Sequence, residues 1–307
     1  MSVQSSAIVD SRPPLPVAQS GFRWGLLGVL AFSLTVPFTR VAVADGGISP
    51  LFIGAGRAAV AALLAAIALT ITKQRLPRGT QWGRIAIVAG GVVMGFPLLT
   101  SYALTTAPAG HSAVVIALLP AATAVTVVLR GHERPPRVFW FSAGAGALAA
   151  VVFAAVQSGG ALALHWSDLL LFGAVAAAAI GYAEGGLLSR ELGSWQTVSW
   201  ALVLAAPLMI VLTGLSIAQQ PPSGTATEWA AFAYLSVVSM YLGFFAWYRG
   251  LAIGPMAQVS QVQLVQPVLT IGWAALLLGE QLTWPTVSGG LAVVCCAALA
   301  VRARLAG

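Results

Sequence analysis

Ten apolar runs, each about as long as a bilayer is thick, leave this chain few ways to fold. They lie near residues 22–44, 51–72, 84–104, 110–129, 138–156, 168–187, 195–217, 228–247, 256–278 and 285–302. A helix needs about 20 apolar residues to cross the hydrocarbon core. The expected fold is an all-α integral membrane protein with ten transmembrane helices. Composition supports this: of 307 residues, 59% are hydrophobic and only 7% are charged. A soluble domain carries about 25% charged residues. The shortfall excludes a cytosolic enzyme, a secreted disulfide scaffold, a nucleic-acid binder and a disordered chain. The 33 glycines suit helices that approach closely in lipid.

Residues 1–21 are polar and contain Pro13, Pro14 and Pro16, so a disordered cytoplasmic tail is expected there, with no cleavable signal. Cys295 and Cys296 are neighbours in an apolar run and are read as packing residues.

The few charges carry the topology. With the N-terminus in the cytoplasm, the inside segments hold Arg12, Arg23, Lys73, Arg75, Arg78, Arg84, Arg130, Arg134, Arg137, Arg190, Arg249, Arg302 and Arg304. That is thirteen of the fifteen Lys and Arg residues, and the outside loops hold none. Those loops carry Asp45, His165, Asp168, Glu228 and Glu280 instead. The positive-inside rule demands such a split, and a miscount by one helix would scramble it. The chain is thus expected in the cell inner (plasma) membrane, multi-pass, with both termini cytoplasmic. The net charge of +7 is an orientation signal, not a nucleic-acid signal.

A repeat runs through the chain at an offset of 147 residues. Leu104 matches Leu251, Pro108 matches Pro255, Val115 matches Val262, and Pro120 matches Pro267. Thr123, Leu129 and Glu133 match Thr270, Leu276 and Glu280. The fourth span thereby equals the ninth, so the unit is five helices. Because five is odd, the second copy is inverted in the membrane. The expected halves are 22–156 and 168–302. Inverted halves can exchange conformations around a midplane site, as in many secondary transporters.

Three segments also resemble a known family. They are "SPLFIGAGRAAVAALL" with Arg57, "YALTTAPAGHSAVVIALLPAATAVTVVLRGHE" ending at Glu133, and "YRGLAIGPMAQVSQVQLVQPVLTIGWAALLLGEQLTWPTVSGG" containing Gly279-Glu280. They resemble the drug/metabolite transporter superfamily in its EamA-like ten-helix form. The first copy departs from the second by having His132 before Glu133. The resemblance implies a metabolite exporter of the inner membrane, and the general layout points to an amino-acid exporter of the YddG type.

Candidate site residues follow from polar or kinked positions inside the spans. Pro120 and Pro267 sit mid-span at equivalent positions, where proline removes a backbone hydrogen bond. They are candidate hinges or static bends. Glu184 lies well within the sixth span, where a charge is costly. It would couple protons or bind a substrate amine, or it would reach headgroup water or Arg249. Arg40 and Arg57 would bind a substrate carboxylate through the planar guanidinium fork, or snorkel, or pair with Asp45 as structure. In the ninth span, Gln258, Gln261 and Gln266 fall within an arc of about 140° on a regular helix, with Gln263 further round. The first three are expected to face a wet cavity, or else to hydrogen-bond between helices. Tyr241, Tyr182 and Tyr102 would line a site for an apolar solute or pack between helices. Trp247 and Tyr248 are read as interfacial. Ser33, Thr35 and Ser239 complete the candidate cavity set, and His111 is read as an interfacial histidine near the outer end of the fourth span.

No HExxH, GxSxG or Walker motif is present. No cofactor and no metal is expected. The partners implied are a small-molecule substrate (an amino acid by the resemblance), the lipid bilayer, and protons if transport is coupled. The functional expectation is a secondary transporter or facilitator exporting small metabolites. A channel-like or drug-efflux protein is the alternative, and an intramembrane enzyme is disfavoured.

Overall fold

The structure is a computed structural model that describes residues 15–131, 136–157, 165–253, 259 and 262–305. Among the described residues, eight helices are long and apolar enough to cross a membrane: α1 Ser20–Ala44, α2 Pro50–Ile71, α3 Gln81–Ala103, α4 Ala109–Arg130, α5 Arg137–Val156, α6 Trp166–Leu192, α7 Ser194–Gln219 and α8 Ala226–Ile253. Two shorter apolar helices follow, α9 Val262–Leu278 and α10 Trp284–Ala300. The expected all-helical membrane fold of ten helices is what the chain adopts. Of the tail expected to be disordered, residues 1–14 lie outside the described residues, and the chain is already helical from Leu15.

Local chemistry sets several helix starts. Ser49 caps α2, its hydroxyl accepting from the Phe52 amide at 3.1 Å, and Pro50 follows where its missing N–H costs nothing. Thr225 and Glu228 form a reciprocal capping box at α8. At the end of α9, Gly279 takes a left-handed conformation, with φ of 67°, that an L side chain rarely adopts.

Helix pairing follows the five-helix repeat. α2 packs along α7, α5 along α10, and α4 along α9, so equivalent helices meet each other. α1 packs along α8 and α3 along α6, which the repeat exchanges. Small residues allow these crossings. A Cβ on Gly91 in α3 would lie 2.4 Å from the Ala177 carbonyl oxygen of α6, and one on Gly250 in α8 would lie 2.7 Å from the Gly25 nitrogen of α1.

The breaks in the helices repeat as well. α3 is π-helical over Ala89–Gly95 and α8 over Tyr234–Gly243. Shifted by the 147-residue offset, the first falls inside the second. α4 loosens into a turn at Ala117 and Leu118, and α9 begins with a 3-10 turn at Val262–Val265. Each break comes just before a mid-span proline, Pro120 or Pro267.

Loop contacts define two faces. Gln74 meets Gln196 on the face that also carries Lys73, Arg75, Arg78 and Arg190, here the basic face. Gln220 donates to the Gly46 carbonyl on the opposite face, which carries Asp45, Asp168, Glu228 and Glu280. Trp166 and Trp284 stand exposed at helix starts on that second, acidic face, as interfacial tryptophans do.

Candidate functional site

The helices of both halves line a narrow central cavity, with about 420 Å³ of empty space counted out to its open mouth. Its apolar wall is Phe32, Val92, Phe96, Tyr182, Met240 and Phe244, and its polar groups are Thr35, Arg57, Ser239 and Gln266. A second space of about 270 Å³ adjoins it, sharing Val36 and Gln266, and reaches both Pro120 and Pro267. The breaks of α4 and α9 therefore open directly onto the middle of the molecule.

Arg57 is the charged group of this cavity. Its side chain comes from α2 and the residue is 1% exposed. Nη1 donates to Thr39 Oγ1 at 3.5 Å and Nη2 to Thr100 Oγ1 at 3.3 Å, both long for hydrogen bonds. Nε has no partner. Among the described residues no carboxylate pairs with it. A buried guanidinium is costly unless paired.

The remaining polar groups differ in how well they are satisfied. Thr35 and Ser239 share a hydrogen bond of 2.7 Å across α1 and α8. Gln266 is 8% exposed and its Oε1 has no partner. Tyr182 sits in an aromatic cluster, its ring 5.8 Å from Phe244 and 6.1 Å from Trp247.

Other candidates have different surroundings. Tyr102 is 44% exposed and does not line the cavity, because its phase on α3 is opposite to the buried Thr100 and Ser101. Tyr241 bonds Ser199 at 3.1 Å between α8 and α7, outside the cavity lining. Ser33 clasps α1 to α9: its hydroxyl accepts from Trp273 Nε1 at 3.0 Å and its carbonyl from Thr270 at 2.9 Å. Arg40 does not pair with Asp45; Nη1 donates to the Leu104 and Thr105 carbonyls at 2.7 Å each, just past the end of α3. Trp247 and Tyr248, expected at the interface, are almost fully buried against α6 and α1. Gln258 and Gln261 lie outside the described residues.

Gln263, placed off the cavity arc by regular helix geometry, lines the second space and is 3% exposed, with Nε2 unpartnered. The 3-10 turn at Val262–Val265 explains this. It advances about 120° per residue, so positions three apart eclipse and Gln263 aligns with Gln266.

Polar contacts between the halves frame the cavity at each face. On the basic face, Glu184 of α6 is held between Arg84 of α3 and Arg130 of α4, the Arg130 Nε lying 3.1 Å away. Arg84 also meets Glu191. The alternative partner Arg249 instead lies over the Trp24 ring at 5.1 Å. On the acidic face, His111, near the start of α4, is buried and contacts Asp168 of α6 at 2.6 Å. Glu280 accepts from the Ala109 and Gly110 amides at 2.7 and 2.8 Å, capping α4. The left-handed Gly279 turns the chain so that this carboxylate points back to the other half.

Comparison with known proteins matches this two-part architecture. A family model described as the EamA-like transporter family matches residues 19–155 and again 165–302. These are the two five-helix halves. A relative described as the uncharacterized transporter YdeK of Bacillus subtilis (strain 168) is 45% identical over 286 residues, covering 92% of this chain and 97% of its own. A solved structure described only as a crystal structure of a protein superposes with a TM-score of 0.63 at 19% identity, covering 94% of this chain and 98% of that one. That likeness shows a shared fold.

Proposed function

The chain belongs to the EamA-like transporter family, and on that premise we propose that it exports small metabolites, amino acids in particular, by alternating access through the central cavity. The observation that carries the substrate class is Arg57. A transporter of cations has no use for a buried guanidinium in its cavity, because like charges repel at low dielectric. A carboxylate-bearing solute would complete the bonds that Arg57 lacks. This favours the amino-acid reading, to which the YddG-type resemblance also points, over efflux of cationic drugs.

Glu184 supports a facilitator or a coupling route that does not run through that residue. It is held between two arginines instead of facing the cavity. In proteoliposomes, labelled amino acids are expected to exchange in counterflow, whereas amines of similar size are not. Glu184→Gln is expected to keep its full response to an imposed pH gradient. A panel in which amines move and carboxylate-bearing solutes do not would overturn the substrate class.

A further inference from the structure

Two unsatisfied groups of opposite character line the same cavity. Arg57 Nε is a buried donor without an acceptor, and Gln266 Oε1 is a buried acceptor without a donor. Around them the wall is apolar, from Phe32, Val92, Phe96, Met240 and Phe244. A solute that satisfied both would carry an anion and a hydrogen-bond donor on an otherwise apolar body. We propose that Gln266 is the specificity-determining residue that accepts a hydrogen bond from the substrate's α-ammonium, while Arg57 holds its carboxylate. The cavity is thereby matched to zwitterionic α-amino acids with apolar side chains. This rests on the transport reading above and extends it to a second contact.

A neutral amide suits that task. A carboxylate at Gln266 would pair with Arg57 itself and compete with the substrate for the guanidinium. An amide oxygen accepts from an ammonium without cancelling the site's charge. The position also gives it access. Gln266 begins the regular part of α9, directly after the 3-10 turn and before Pro267, where the chain borders both the central cavity and the adjoining space. A solute held there would touch the α9 break, so its arrival and the rearrangement of that break would be linked.

The test compares L-leucine with 4-methylpentanoate, which lacks only the amino group, and 3-methylbutylamine, which lacks only the carboxylate. Binding to the purified protein in detergent is read by thermal stabilisation, and inhibition of labelled L-leucine counterflow is read in proteoliposomes. Wild type is expected to favour L-leucine over 4-methylpentanoate by about 10-fold or more, the scale of one hydrogen bond to a charged group. Gln266→Leu should bring the two within about 3-fold of each other by weakening L-leucine alone, since that one bond is lost. Gln266→Asn, which keeps a neutral amide oxygen, guards against a folding defect: if it keeps a preference for L-leucine, an acceptor at this position is what reads the ammonium. A preference that survives Gln266→Leu, or that Gln266→Asn abolishes, overturns the assignment. If wild type binds both carboxylates equally and Arg57→Gln binds neither, the ammonium contact falls while the carboxylate reading stands. If wild type binds neither carboxylate but does bind the amine, both readings fall.

Discussion

A guanidinium that is 1% exposed and has no carboxylate partner works against the stability of the fold that holds it. Desolvating such an ion costs several kcal/mol even after relaxation, and Arg57 recovers part of that through two long hydrogen bonds to Thr39 and Thr100. Stored cost of this kind is kept where function needs it. Arg57→Gln is therefore expected to raise the thermal midpoint of the detergent-purified protein by several degrees. The same change should lower amino-acid counterflow by about 10- to 100-fold, the loss of a charge-assisted hydrogen bond to substrate. Arg57→Lys, which keeps the charge but not the fork, should fall between. A variant that loses stability and transport together would make Arg57 a structural residue. The sequence marked this position as a candidate because a cation inside an apolar run stands out, but it left snorkelling and a structural pair with Asp45 equally open. Tyr182 and Tyr102 were not separable in that way. Both are tyrosines in apolar spans, and only the rotation of each helix decides that one lines the cavity while the other is exposed. Trp247 and Tyr248 misled for a related reason: their distance from a predicted helix end suggested an interface, but α8 continues to Ile253 and buries them.

At the scale of whole helices, the spans were readable from length and apolarity, and the paired prolines marked where α4 and α9 change course. The kind of change was not readable. A π-helical stretch is an α-helix with extra residues per turn, and nothing in the apolar text of Ala89–Gly95 or Tyr234–Gly243 distinguishes it from the regular helix on either side. The 3-10 turn before Pro267 was equally silent, and it rotated Gln263 into the adjoining space against expectation. Glu280 is the contrary case. Its place in the Pro, Pro, Glu pattern was visible in the sequence, and its task became clear only from the fold, where it caps α4 from the other half. Two amides at a helix start receive one carboxylate, so both a capping bond and a charge–dipole term are at stake. Glu280→Ala should destabilise the protein by about 1–2 kcal/mol, seen as a lower thermal midpoint, and Glu280→Gln should cost less because one acceptor remains. A Glu280→Ala protein as stable as wild type would mean that the cap contributes nothing.

Across the whole molecule, one helix pair from opposite halves is joined near both membrane faces. α4 carries His111 near one end and Arg130 near the other, and α6 answers with Asp168 and Glu184. The cavity with Arg57 and Gln266 lies between these two contacts. The alternating access proposed above opens one face at a time, so under it each open state loosens the α4–α6 contact on its own face while keeping the other. A ligand or a substitution shifts such an equilibrium only by its differential effect on the two states. Weakening the basic-face contact should then favour opening toward that face, and weakening the acidic-face contact should favour the reverse. The reporter is a cysteine at the cavity position Thr35, introduced by Thr35→Cys in a background with Cys295→Ala and Cys296→Ala, labelled by a membrane-impermeant thiol reagent from either side of oriented vesicles. Glu184→Gln is expected to increase labelling from the basic face and to decrease it from the acidic face. Asp168→Asn should do the opposite. Both substitutions moving the labelling in the same direction would mean that the two contacts hold the bundle together without selecting which face opens.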